Sequence, residues 1–123
     1  MYVCGLVIPV PAERRGDYLK WAEAGARIFK AYGCLEIVES WEDFVPDGKH
    51  TDFRKAVAAE PGEKIVFIWQ IWPDRETFQA AEAKMHEDTV LEGGDQPPFD
   101  ARRLILGCFQ PVAVMGRGTD GSS

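Results

Sequence analysis

The chain has 123 residues, 46% of them hydrophobic and 28% charged, a length and balance that suit one globular domain with its own core and exclude disorder for everything but the ends. Its 14 basic residues are scattered among 20 acidic ones for a net charge of -6, which argues against a nucleic-acid or anionic-membrane surface. Three widely spaced cysteines, Cys4, Cys34 and Cys108, fit reduced thiols better than a disulfide framework, and the start lacks a basic leader, a cleavage site or a span-length apolar run, so a cytoplasmic location is expected.

Residues 2–10 are apolar on both alternating faces, which predicts a buried strand. Pro11 to Glu13 opens a helix that Gly33 closes, with Tyr18, Leu19, Ala22, Ala26 and Phe29 recurring at helical spacing opposite Lys20, Glu23, Arg27 and Lys30. Residues 34–45 are β-rich yet charged, as an edge strand is. Pro46-Asp47-Gly48-Lys49-His50 is turn chemistry, and residues 51–59 suit a short strand or a short helix equally. After a turn at Pro61-Gly62, residues 64–72 again read as a strand apolar on both faces. Asp74 is a natural helix cap, and Phe78, Ala81 and Met85 mark the inner face of a second helix reaching about Asp88. A Gly/Pro-rich loop leads to a last strand within residues 102–114, with Leu104, Leu106, Cys108 and Val112 on one side and Ile105, Gly107 and Phe109 on the other. Residues 116–123 have the composition of a disordered tail, leaving one domain over 1–115.

Strand, helix, strand, strand, helix, strand is the βαββαβ order of a ferredoxin-like α+β domain, one antiparallel sheet with two helices on one face. The other sheet face is then uncovered although strands 2–10, 64–72 and 102–114 are apolar on both sides. A second copy is the simplest cover, which predicts a two-fold dimer with a partly closed α/β barrel.

Several segments also carry a resemblance. Val45-Pro46-Asp47-Gly48-Lys49, Thr51-Asp52-Phe53-Arg54-Lys55-Ala56-Val57, Val66-Phe67-Ile68-Trp69 and Pro98-Phe99-Asp100 before Arg103 resemble the bacterial YbaA-like family of uncharacterised proteins, over nearly all of residues 2–113. The chain departs from that pattern at Gln96-Pro97, where a Met usually precedes Pro-Phe-Asp, and at Cys108, where a Gly is common. The resemblance implies a dimeric ferredoxin-like α/β barrel, in a superfamily that also holds small monooxygenases, heme-degrading enzymes and stress-response proteins. It implies no established activity.

Five groups of residues have chemistry to weigh. Asp43, Asp47, His50, Asp52 and Arg54 gather carboxylates, an imidazole and a guanidinium within a dozen positions. That set suits acid/base work, although a solvated turn whose Asp residues cap backbone amides accounts for it more simply. His86 follows Glu82 by one helical turn, but a catalytic zinc needs three protein ligands and no His-Glu-x-x-His motif is present, so a surface pair is expected and no metal or heme. Trp21 lies on a helical stripe with Gly25, Ile28 and Tyr32, and Trp41, Trp69 and Trp72 come from strands; together they could wall a pocket, or serve only core and dimer packing. Cys4 and Cys108 fall on neighbouring strands, where inert packing is favoured over a redox pair because no cation flanks Cys4. Arg102-Arg103 is a basic step able to pair with Asp100 or with a carboxylate across the dimer.

The expectation is a cytosolic homodimer, without a cofactor, that binds a small, partly apolar molecule among Trp21, Trp41, Trp69 and Trp72. The alternative is a cofactor-independent enzyme, monooxygenase-like or an isomerase, with His50, Asp52 and Arg54 as its polar groups. A protein- or RNA-interaction module is a third reading, disfavoured by charge.

Overall fold

The computed structural model describes residues 1–92 and 96–116, with the side chains of 87–92 outside the description. The expected disordered tail therefore lies, from residue 117 on, outside the described residues, as does the centre of the Gly/Pro-rich loop at 93–95. Strand β1 (Tyr2–Pro11) leads through a single 3-10 turn into helix α1 (Arg15–Ala31), followed by β2 (Glu36–Trp41), a one-turn helix α2 (Phe53–Ala56), β3 (Glu63–Trp72), helix α3 (Arg75–Glu92) and β4 (Ile105–Phe109). The four strands form one antiparallel sheet in the order β2-β3-β1-β4. This is the ferredoxin-like α+β arrangement that the sequence predicts.

Boundaries differ in four places. The segment 34–45 forms a strand only over Glu36–Trp41, because from Glu42 onward the chain leaves β3 to satisfy groups in the turn region. The undecided stretch 51–59 is helical at Phe53–Ala56, where the Asp52 carboxylate accepts from the backbone N–H of Lys55 at 2.7 Å as an N-cap. The last strand is five residues long rather than thirteen, its predicted start being a 3-10 turn at Ala101–Arg103 held by Asp100. Helix α3 starts behind the expected Asp74 cap, whose carboxylate accepts from Thr77 N–H at 2.7 Å, and runs on to Glu92. Gly33 ends α1 at φ 111°, where a Cβ would also strike the Thr77 methyl, so only glycine fits.

The side chains of β1 and β3 at even positions face the helices. Ile8, Val10, Val66 and Ile68 pack with Tyr18, Ala22 and Phe99, while Cys4 and Trp72 pack with Cys34, Phe78 and Ala81. Leu19, expected in the inner stripe of α1, is exposed; the inner face turns instead through Tyr18, Ala22 and the half-buried Ala26 and Phe29. Among the described residues the odd-numbered face is covered at one end, where α2 and the turn after it lay Val57 on Val7 and Ile65. The rest of that face is a shallow apolar trough of about 450 Å³ lined by Val3, Gly5, Phe67, Trp69, Ile105 and Phe109.

The return from α3 to β4 is fastened by one guanidinium. Arg103 donates to both oxygens of Glu63 at 2.7 and 2.6 Å, to Asp100 at 3.1 Å and to the Ala58 carbonyl at 2.9 Å. The expected pairing with Asp100 is present, and the second carboxylate comes from the same chain. Bidentate contact with Arg103, opposed by partial burial, holds the Glu63 carboxyl below its ordinary range.

Candidate functional site

A cavity of about 150 Å³ lies between α1 and the helix-side face of the sheet. Leu6, Ile8, Ile37 and Ile68 form its floor, and Trp21, Gly25 and Phe29 of α1 face them. The Trp21 ring meets Phe99 edge-on at 5.1 Å and lies 5.9 Å from Tyr18, so an aromatic group fixes this wall. Gly25 leaves room: a Cβ built there has no heavy atom within 4 Å.

Two polar side chains line this apolar space, Glu39 of β2 and Gln70 of β3. Tyr18 donates its phenol proton to Glu39 Oε1 at 2.6 Å. Glu39 is exposed at the rim, and partial desolvation of its carboxyl by the neighbouring walls raises its pKa, against the opposing effect of the Tyr18 hydrogen bond. Burial, then Glu39 itself, pushes the Tyr18 phenol up as well, so it stays a proton donor at neutral pH. Gln70 is 5% exposed, and its Oε1 accepts from the Trp72 indole N–H at 2.9 Å.

The residues singled out from sequence are dispersed. Trp21 lines the cavity, whereas Trp72 is fully buried and touches two of its lining residues, Gln70 through the indole N–H and Phe29 edge-on at 5.9 Å. Trp41 packs at the other end of the core with the Arg15 guanidinium 5.2 Å from its ring centre, and Trp69 lies on the opposite sheet face in the open trough. His50 is exposed in the turn. Asp52 spends its carboxylate on the N–H groups of Gly48 and Lys55, which hold its pKa below the ordinary value. Arg54 donates to the Glu63 and Glu60 carbonyls and to Glu42 Oε1. None of these three lines the cavity or the trough. Glu82 and His86 are exposed on α3, and among the described residues no three metal-ligating side chains gather.

Cys4 and Cys108 are directly opposed in the β1–β4 register, with their sulfurs 3.2 Å apart as free thiols. Burial, reinforced by Cys108, raises the Cys4 thiol well above its ordinary pKa, and burial raises that of Cys34. Iodoacetamide added to native protein is therefore expected to alkylate the exposed Cys108 and to spare Cys4 and Cys34 until denaturant is added. Mass spectrometry of the digested protein reads this directly, and early labelling of Cys4 would contradict it.

Comparison with known proteins agrees with this architecture. Residues 1–101 match a family model described as protein of unknown function DUF1428. The chain is 46% identical over 112 residues to the uncharacterized protein YbaA of Escherichia coli K12, covering 90% of this chain and 96% of that one, and equally to YbaA of Shigella flexneri. Among solved structures it resembles a monooxygenase from the gene ActVA-Orf6 of Streptomyces coelicolor in complex with the ligand nanaomycin D. That match has a TM-score of 0.57 and 13% identity, over 93% of this chain and 89% of the other. A dimeric ferredoxin-like protein from an uncultured marine organism matches with a TM-score of 0.51 and 13% identity, over 95% of this chain and all of the other (100%). At such identities the structural matches speak to fold alone. Family model and relatives together make the chain a member of the DUF1428 family, of YbaA-like proteins, on a ferredoxin-like fold.

Proposed function

We propose that this protein is a cytoplasmic homodimer that binds a small, largely apolar molecule in the cavity between α1 and the sheet, with the open sheet faces of two copies forming the dimer. The observation that carries the binding role is the cavity itself, apolar-walled, bordered by the space left at Gly25 and supplied with the two polar groups of Glu39 and Gln70. Small-molecule sites combine apolar walls with a few polar groups in this way. A volume of about 150 Å³ suits a single six-membered ring, the size of guest that cavities of that order accept.

The direct test uses toluene as probe, followed by calorimetry and by Trp21 fluorescence. Wild-type protein is expected to bind it near millimolar concentration. Gly25→Leu places a side chain in the empty space, so it is expected to abolish binding while stabilising α1 by roughly 0.5–1 kcal/mol through better helix propensity. No binding of toluene to the wild type would remove the reading.

An enzymatic role is a second reading. It is favoured by Glu39, a carboxyl of raised pKa beside the cavity, rather than by His50, Asp52 and Arg54. A carboxyl shifted upward in this way holds a proton more readily than an ordinary one, as acid/base work requires, and the fold's likeness to a monooxygenase supports this by analogy only.

A further inference from the structure

We infer that the cavity is built for a ring that carries a hydroxyl group, the phenol class, held between the amide of Gln70 and the carboxylate of Glu39. This deepens the binding role proposed above and rests on it. The inference starts from an unspent donor. The Trp72 indole can only donate, so its 2.9 Å contact fixes which end of the Gln70 amide is oxygen and turns the NH2 group the other way. That nitrogen has no hydrogen-bond partner among the described residues, although the Gln70 side chain is buried and lines the cavity. Because no buried side-chain nitrogen among the described residues lacks a partner, this one keeps contact with water, and a ligand that displaces that water must offer an acceptor in its place.

Glu39 supplies the complementary half. Its Oε1 is occupied by the Tyr18 hydroxyl, leaving Oε2 as an acceptor beside the same cavity. The β2–β3 register sets Ile37 opposite Gln70 and Glu39 opposite Ile68, so Glu39 and Gln70 are diagonal neighbours on one sheet face. Diagonal pairs stand about 7–8 Å apart at Cα, with the side chains closing part of that gap. One hydroxyl oxygen hydrogen-bonded to both, at an angle near tetrahedral, needs about 4.5–5 Å between their polar atoms, which that spacing allows once the side chains lean together.

A hydroxyl is the group that satisfies both sides, accepting from the Gln70 NH2 and donating to Glu39. A ketone can accept from Gln70 but turns lone pairs toward the carboxylate. A benzoate-like acid meets Glu39 with like charge, and none of the residues lining this cavity is cationic. An ammonium suits Glu39 but faces the Gln70 donors. The ring itself packs on Trp21, Phe29, Leu6 and Ile8.

Calorimetric titration with phenol, toluene and benzoate separates the possibilities. Wild-type protein is expected to bind phenol at least as tightly as toluene, despite the greater cost of taking the hydroxyl out of water, and to ignore benzoate. Gln70→Leu is expected to weaken phenol by about tenfold or more and leave toluene bound. Toluene binding also reports that this variant has folded. Should it not fold, Glu39→Leu at the rim makes the same test, again with loss of phenol and retention of toluene. Toluene binding with phenol much weaker, or a phenol affinity unchanged in either folded variant, overturns the hydroxyl inference and leaves the cavity role standing. Absence of binding by both phenol and toluene overturns both.

Discussion

Arg103→Leu is expected to lower the stability of the fold at pH 7 by about 3 kcal/mol, the low end of the cost of stripping the partner from a buried charge. The Glu63 side chain is 8% exposed and Arg103 18%, so water can replace little of what the guanidinium supplies. The variant takes from the Glu63 carboxylate its bidentate partner, from the Ala58 carbonyl its donor, and from Asp100 one of its two arginine partners. Because ordinary domains are stable by only about 5–15 kcal/mol, the loss is easily read as a shift in urea midpoint. The pH dependence identifies the mechanism. In the wild type the folded pKa of Glu63 lies below its unfolded value, so its contribution is present above about pH 4.3 and fades as pH falls through the folded pKa. Without Arg103, burial, which disfavours the charged carboxylate, is opposed only by the Glu60 N–H and the nearby Arg54, so the contribution that the wild type loses as pH falls is already missing from the variant. The stability gap should therefore narrow between pH 7 and pH 3. A gap constant over that range would mean that Arg103 acts through packing alone.

The sequence makes the frame legible because the frame rests on patterns that survive without tertiary information. Alternation in 2–10 and 64–72, the 3.6-residue recurrence in α1, and local caps such as Asp74 each act within a few residues. Strand length was less legible: 34–45 and 102–114 contain enough β-formers to continue, but Glu42 and Arg103 are taken up by ion pairs with distant residues, and the strands are shorter for it. The cavity was half visible. Trp21 stands out in the sequence, whereas Glu39 reads as one of the charges of an edge strand and Gln70 is absorbed into a strand read as apolar on both faces. A signal did exist, since Gln70 is the one polar residue among Ile65–Trp72, and Glu39 shares the parity of the inward Ile37. Joining the two needs the β2–β3 register, which depends on turn geometry between distant segments and not on local pattern. The turn cluster misleads for the opposite reason: His50, Asp52 and Arg54 are close in sequence, yet Asp52 and Arg54 are committed to backbone groups and Glu42.

Phe67→Asp is expected to turn the proposed dimer into a folded monomer. Phe67 lies on β3, directly opposite Val7 of the neighbouring β1, and is 42% exposed, so the protomer loses only part of one ring contact, the edge-on pair with Phe53 at 6.2 Å. The cost falls on association. With strands spaced about 4.8 Å apart and rising about 3.3 Å per residue, the four strands together span roughly 500 Å² in projection. Its exposed residues include Ile105 at 44% and Phe109 at 61%, the latter with its ring folded over Gly107. A stable pair buries about 800 Å² on each partner, so the open face supplies about half of it in projection and the side chains standing on it supply the rest. Two-fold symmetry brings each substituted position into the same interface as its copy, so two carboxylates must lose water in an apolar setting with no cation on the face to meet them. Sedimentation or light scattering from 1 to about 100 μM should then give a monomer for Phe67→Asp. Wild type and Ala24→Glu, on the exposed side of α1, should both remain dimers. A wild-type protein monomeric over that whole range would leave the trough without its second copy. A dimeric Phe67→Asp would place the interface on another surface.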